Sequence, residues 1–125
     1  MCEVQSQIVF DMAKALVDIS NKIDRAWTKV YYRFYLDETE SGANASLATS
    51  SSVALIGALD HPNLYSEENG LSKKLFAALN KKRGLLLLVV NSQLDYEIQF
   101  EFENLDRWGI SKMDGATGIP EGLAE

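Results

Sequence analysis

The run Asp95-Tyr96-Glu97-Ile98-Gln99-Phe100-Glu101-Phe102-Glu103 alternates without a slip. Tyr96, Ile98, Phe100 and Phe102 fall on one side, and Glu97, Gln99, Glu101 and Glu103 on the other. A period of two marks a half-buried β-strand. The strand over 95–103 must therefore lay an apolar row on a core and turn a row of carboxylates away from it.

A strand of this kind needs a layer to cover its apolar face. Val4, Ile8, Met12, Leu16, Ile19 and Ile23 recur at helical spacing, which predicts an amphipathic helix over 3–24. Residues 27–37 then switch to period two, with Thr28, Val30, Tyr32, Phe34 and Leu36 on one face and Trp27, Lys29, Tyr31, Arg33 and Tyr35 on the other. Asp37 to Gly42 reads as a turn, and residues 43–56 as a second strand weakened by Thr49-Ser50-Ser51-Ser52. A second helix is expected over 66–82, with Leu71, Leu75, Phe76 and Leu79 buried, Lys81, Lys82 and Arg83 at its negative end, and Gly84 as its stop. Leu85 to Val90 is a continuous apolar run of central-strand length, and Asn91-Ser92 turns it antiparallel into 95–103.

The expected order is thus α-β-β-α-β-β. It describes an α+β fold in which a four-stranded antiparallel sheet carries two helices on one face. All 125 residues fit a single domain, with 109–125 an irregular C-terminal tail rich in glycine.

Charge is distributed unevenly. Residues 1–90 hold ten acids and ten bases, whereas residues 91–125 hold eight acids and two bases, so the whole net charge of −6 lies in the last third. Phosphate binding wants clustered Lys and Arg, so nucleic acid is not expected as a direct partner. A basic protein surface is the natural complement. Asp95, Glu97, Glu101, Glu103 and Asp106 are the candidate contacts. The competing reading is that these carboxylates are solvated and partly paired, with Lys29 and Arg33 reaching Glu97 or Glu101 across the sheet. Trp27, Tyr31 and Tyr35 add a second candidate surface if they look outward, since aromatics beside charges favour protein contacts. The alternative is that the C-terminal tail, through Trp108 or Ile110, folds over them.

Little in the chain points to catalysis or metal binding. His61 is the only histidine and stands before Pro62 in a loop, and Cys2 is the only cysteine. Zinc sites need clusters of such residues, and there is neither a nucleophile elbow nor a phosphate-binding glycine loop. No catalytic residue, metal or cofactor is expected, and one cysteine excludes an intrachain disulfide. Glu3 precedes any basic residue, and Asp11 and Lys14 interrupt the apolar residues, unlike a secretory leader. The longest aliphatic run is far too short for a bilayer. The chain is expected to be cytoplasmic, complete from its initiator Met and without a membrane partner.

A helix, then AWTKVYYRFYLDE, a hairpin, a helix and LDYEIQFEFENLDRW resembles the YezG-like immunity proteins of bacterial polymorphic toxin systems, which include immunity proteins of contact-dependent growth inhibition. The resemblance covers roughly residues 3–108 and rests on Trp27 with Tyr31-Tyr32, and on Asp95-Tyr96 leading into Phe100 and Phe102. It implies a non-catalytic cytoplasmic antitoxin that binds the C-terminal domain of its toxin, often a nuclease, and blocks the active site. The alternative carried beside it is a small ligand-binding or dimerising regulatory domain, with the aromatic face as pocket or self-interface.

Overall fold

The computed structural model describes residues 2–123. Helix α1 spans Glu3–Ile23 and buries Val9, Met12, Ala13, Leu16 and Ser20, a stripe of three- and four-residue steps. Gln5 Oε1 accepts from the Cys2 N–H at 3.1 Å and closes the first turn. The buried stripe is rotated from the expected one: Val4 is 64% exposed, and the centre of the face is Val9 and Leu16.

Five strands, not four, form one antiparallel sheet. They are β1 (Trp27–Leu36), β2 (Ser41–Thr49), β3 (Val53–Ile56), β4 (Gly84–Asn91) and β5 (Tyr96–Glu101), and their spatial order is β3-β2-β1-β4-β5. The expected second strand over 43–56 is two strands folded back at Thr49. The Thr49 N–H donates to the Ser52 carbonyl at 2.8 Å, and Thr49 Oγ1 accepts from the backbone N–H groups of Ser51 and Ser52 at 3.3 and 3.2 Å. A hydroxyl that satisfies turn amides in this way stabilises a reversal where the sequence shows only weak strand.

Helix α2 spans Pro62–Ala78, between β3 and β4, so the element order is α-β-β-β-α-β-β. It starts earlier than expected because Pro62 occupies the first turn, where its missing N–H costs nothing. It also stops earlier. Asn80 takes φ 57°, its N–H bonds the Ala77 carbonyl at 3.0 Å, and the Lys81 N–H bonds the Phe76 carbonyl at 2.9 Å. This is a Schellman ending with asparagine in the left-handed position. Lys81, Lys82 and Arg83 therefore lie beyond the helix, and Gly84 opens β4.

Both helices cover one face of the sheet. Val30, Tyr32 and Phe34 of β1, Ala45 and Leu47 of β2, and Leu86, Leu88 and Val90 of β4 join Met12 and Leu16 of α1 and Leu75 and Phe76 of α2 in one core. Phe76 meets Phe100 and Phe102 edge-on at 6.1 and 6.4 Å, so the apolar row of the alternating segment does face the helices. The C-terminal tail covers the opposite face. Ile110, with Ile119 and Leu123, packs on Tyr31 and Ala48, while Trp108 packs on Leu85 and Leu87. Both faces of β4 are buried, as a continuous aliphatic run requires.

Candidate binding surface

The acidic surface is built from a hairpin and the turn that follows it. Asn91 organises the hairpin. Its Oδ1 accepts from the N–H groups of Gln93 and Asp95, each at 3.0 Å, while its own N–H bonds the Asp95 carbonyl at 2.9 Å. Leu94 takes φ 70° at the position where a three-residue hairpin loop prefers glycine. Register then fixes the faces. Val89, Leu87 and Leu85 stand opposite Glu97, Gln99 and Glu101, on the side of the sheet that the tail covers.

The carboxylates play different parts. Glu101 belongs to the fold: Oε2 accepts from the N–H groups of Glu103 and Asn104 at 3.1 and 3.3 Å, and Oε1 holds Arg107 Nη1 at 2.9 Å. Those backbone donors, then Arg107, hold its carboxyl below the usual range. Arg107 also stacks on Trp108, 4.6 Å from the ring centroid, which ties the turn to the tail. Among the described residues the Glu97 carboxylate accepts from Gln99 Nε2 alone, at 2.7 Å, and the Asp95 carboxylate makes one long contact with Asn91 Nδ2 at 3.5 Å. Both are exposed, as are Glu103 and Asp106. Among the described residues the ion pairs are Glu101–Arg107 and Asp37–Arg83, so Asp95, Glu97, Glu103 and Asp106 lack a cationic partner within 4.0 Å.

The cross-sheet pairing of Lys29 and Arg33 with these acids is not formed. β4 lies between β1 and β5, so the two strands are not neighbours. Arg33 is only 8% exposed and reaches the turn after β5, where Nε donates to the Arg107 carbonyl at 2.8 Å and Nη2 to the Leu105 carbonyl at 2.6 Å. Burial pushes its guanidinium below the usual value, opposed by Asp106, Tyr35 and Glu121. Lys29 instead lines a cleft of about 320 Å³ together with Tyr31, Asn91, Asp95, Glu97 and Gln99.

The aromatic candidates are covered, which corrects the expectation of an exposed aromatic face. Trp27 is 5% exposed and belongs to the helix-side core, with Nε1 donating to Asn21 Oδ1 at 2.8 Å. The cause is a register shift between Trp27 and Lys29, which moves Trp27 to the face opposite Tyr31. Tyr31 is 3% exposed beneath the tail. Tyr35 is half-buried beside Leu85 and Trp108, its ring so close over Gly42 that a Cβ there would come within 2.6 Å. Of the eight candidates, then, Asp95, Glu97 and Glu103 present free charge, Asp106 is exposed but lies in the field of Arg33, Glu101 braces the turn, and the three aromatics hold the two layers on the sheet.

The sequence reading passed over Glu68. It lies in α2, is fully buried, and both its oxygens lack a partner among the described residues. Nearby, the Tyr32 hydroxyl donates to Asn69 Oδ1 at 2.7 Å and meets Ser72 Oγ at 3.1 Å. Burial, with help from Glu67, pushes the Glu68 carboxyl up to about 9. The signal was present: position 68 falls within the stripe set by Leu64, Tyr65, Leu71 and Leu75. Among the described residues no group of three His, Cys, Asp or Glu side chains is placed to hold a metal, and no helix is long and apolar enough to cross a membrane. No family model and no curated protein matches the chain.

Proposed function

We propose that this protein is an immunity protein of the YezG-like kind, which binds a basic toxin domain in the cytoplasm and occludes its active site. One observation carries the reading: Asp95, Glu97, Glu103 and Asp106 are exposed, make no ion pair within 4.0 Å among the described residues, and sit along one edge strand and the turns at its two ends. A cluster of unneutralised carboxylates attracts a cationic surface and speeds encounter with it. A nuclease must hold phosphate, so its active site offers such a surface. The acid-bearing edge is also anchored from within, because Phe100 and Phe102 pack on Phe76 and Arg107 locks the turn. A rigid acidic edge loses little entropy on binding.

The test is co-purification with the toxic C-terminal domain encoded by the adjacent gene, alongside co-expression in a growth assay. A stable complex and rescue of growth are expected. A toxin domain that neither binds nor is neutralised would refute the reading.

A further inference from the structure

The two edges of the sheet are not equivalent. β3 is four residues long, and Tyr65 of α2 donates its hydroxyl to the Ile56 carbonyl at its end. Val53 at its other end is pressed by the tail, close enough that a Cβ on Gly118 would come within 2.9 Å of it. That edge is short and closed at both ends. β5 is six residues long and, among the described residues, has no strand on its outer side.

Register shows which backbone groups β5 leaves free. The Asn91 N–H bonds the Asp95 carbonyl, and the pairing continues in step as Val89–Glu97, Leu87–Gln99 and Leu85–Glu101. In an antiparallel ladder, pairs that exchange backbone bonds alternate with pairs that do not. Glu97, Gln99 and Glu101 therefore bond inward to β4, and Tyr96, Ile98 and Phe100 turn their N–H and C=O groups outward. Edge strands are usually protected by bulges, proline or charged side chains, lysine above all. β5 has no bulge, proline or lysine between Tyr96 and Glu101, and its charges, Glu97 and Glu101, are acidic, which repels an acidic strand but not a basic one. Its far end is occupied: Arg83 Nη1 donates to the Phe102 carbonyl at 3.0 Å, and Lys81 lies 4.9 Å over the Phe102 ring. The open register thus runs from Tyr96 to Phe100. Tyr96 is 44% exposed, Ile98 and Phe100 are half-buried, and the opposite face offers Asp95 and Glu97.

We propose that a protein partner docks by adding an extended strand to the outer edge of β5. Its alternate residues are apolar over Tyr96, Ile98 and Phe100, and basic beside Asp95 and Glu97. Backbone bonds supply affinity in this mode and alternate side chains supply selectivity. Charge decides the occupant, because an acidic strand would meet like charges directly opposite and a basic one would neutralise them. The proposal takes from the functional reading above only that the partner is basic.

The test uses the intact protein and three synthetic seven-residue peptides: one alternating lysine and valine, one alternating glutamate and valine, and one with the lysines and valines in separate blocks. Amide exchange is read residue by residue. The alternating basic peptide should slow exchange at least tenfold at Tyr96, Ile98 and Phe100, and the acidic and block peptides should not. Tyr96→Pro and Ile98→Pro remove an outward N–H while leaving the bonds to β4 intact. In either folded variant the basic peptide should bind at least tenfold more weakly. Equal binding of block and alternating peptides, or unchanged binding to a folded proline variant, would overturn the edge proposal. A toxin domain that binds the proline variants undiminished would overturn it too while leaving the immunity reading standing. Peptide protection without toxin binding would do the reverse.

Discussion

Arg33 and Leu105 are joined across the underside of the sheet: Nη2 donates to the Leu105 carbonyl at 2.6 Å, and Nε donates to the Arg107 carbonyl two residues further on. This fork ties the strand layer to the turn that leads into the tail. Buried carbonyls that lose a charged donor cost more than the bond itself contributed.

Arg33→Met keeps most of the aliphatic stem and removes the fork. It should destabilise the protein by about 2–4 kcal/mol in urea melts. Amide exchange should accelerate first in the tail segment, ahead of β1 and β4. Arg33→Lys should fall between, since one ammonium cannot reproduce two diverging bonds. A Met variant that loses stability uniformly, with the tail still protected, would assign the role of Arg33 to packing.

The buried Glu68 should make stability depend on pH above the ordinary carboxylate range. Its carboxyl ionises near 4.5 in the unfolded chain and near 9 in the folded one. Between those limits the unfolded state binds fewer protons than the native state, so stability falls as pH rises. The slope from this group is at most about 1.4 kcal/mol per pH unit. The neighbouring Tyr32 and Tyr65 hydroxyls are themselves raised by burial and stay neutral through this range. Glu68→Gln should be more stable than the wild type at pH 8, and its stability should vary less from pH 5 to 8. Urea midpoints across that range check both, and identical pH slopes for the two proteins would remove Glu68 as the cause.

Some of this architecture was legible in the sequence, and some was out of reach for a local reading. The aliphatic run Leu85 to Val90 sits as expected in a central strand, whereas the alternating segment expected over 95–103 is a strand only from Tyr96 to Glu101, with Ile98, Phe100 and Phe102 on the core and Tyr96 44% exposed at the hairpin end. The turn at Thr49 was obscured because a serine run inside a strand and a serine run at a reversal have the same composition. Trp27 was assigned to the wrong face because a single bulge shifts the parity of everything before it. Of the two readings left open for the aromatic face, the one in which the tail folds over it is observed, through Ile110 on Tyr31 and Trp108 beside Tyr35, but the polar anchor beneath was out of reach. The Arg33–Leu105 bond links residues 72 apart, and nothing local to either one signals it. As for the acidic site, composition located the charge surplus, but only geometry separates Glu101, which braces the turn, from Glu97, which faces solvent.

The hairpin carries a correctable strain. Leu94 holds φ 70° with its side chain 62% exposed. A Cβ in the left-handed region costs about 1–2 kcal/mol, partly offset by the greater freedom glycine has when unfolded. Leu94→Gly should therefore stabilise the protein by about 0.5–1 kcal/mol, whereas Leu94→Ala should not, because it keeps the Cβ. Urea melts of the pair decide it. Equal midpoints for Gly and Ala would mean that the strain is relieved elsewhere.

The separation of roles among the carboxylates gives the sharpest test of the acidic edge. Replacing Asp95, Glu97 and Glu103 with Lys alters exposed charges that brace no turn. Stability should stay within about 1 kcal/mol of the wild type. Glu101→Lys removes the acceptor for two backbone N–H groups and the partner of Arg107, so it should lower the urea midpoint although it changes only one charge. Association should respond in the opposite way. Long-range attraction depends on net charge and is screened by salt, so the triple variant should bind the toxin domain at least tenfold more slowly at low ionic strength, and the gap should narrow at high salt. Glu101→Lys, with one charge reversed, should slow association less. Stopped-flow association at two salt concentrations, with melts of all three proteins, separates the two effects. If the folded triple variant associates at the wild-type rate, the free carboxylates do not guide the partner, and the docking surface lies away from β5.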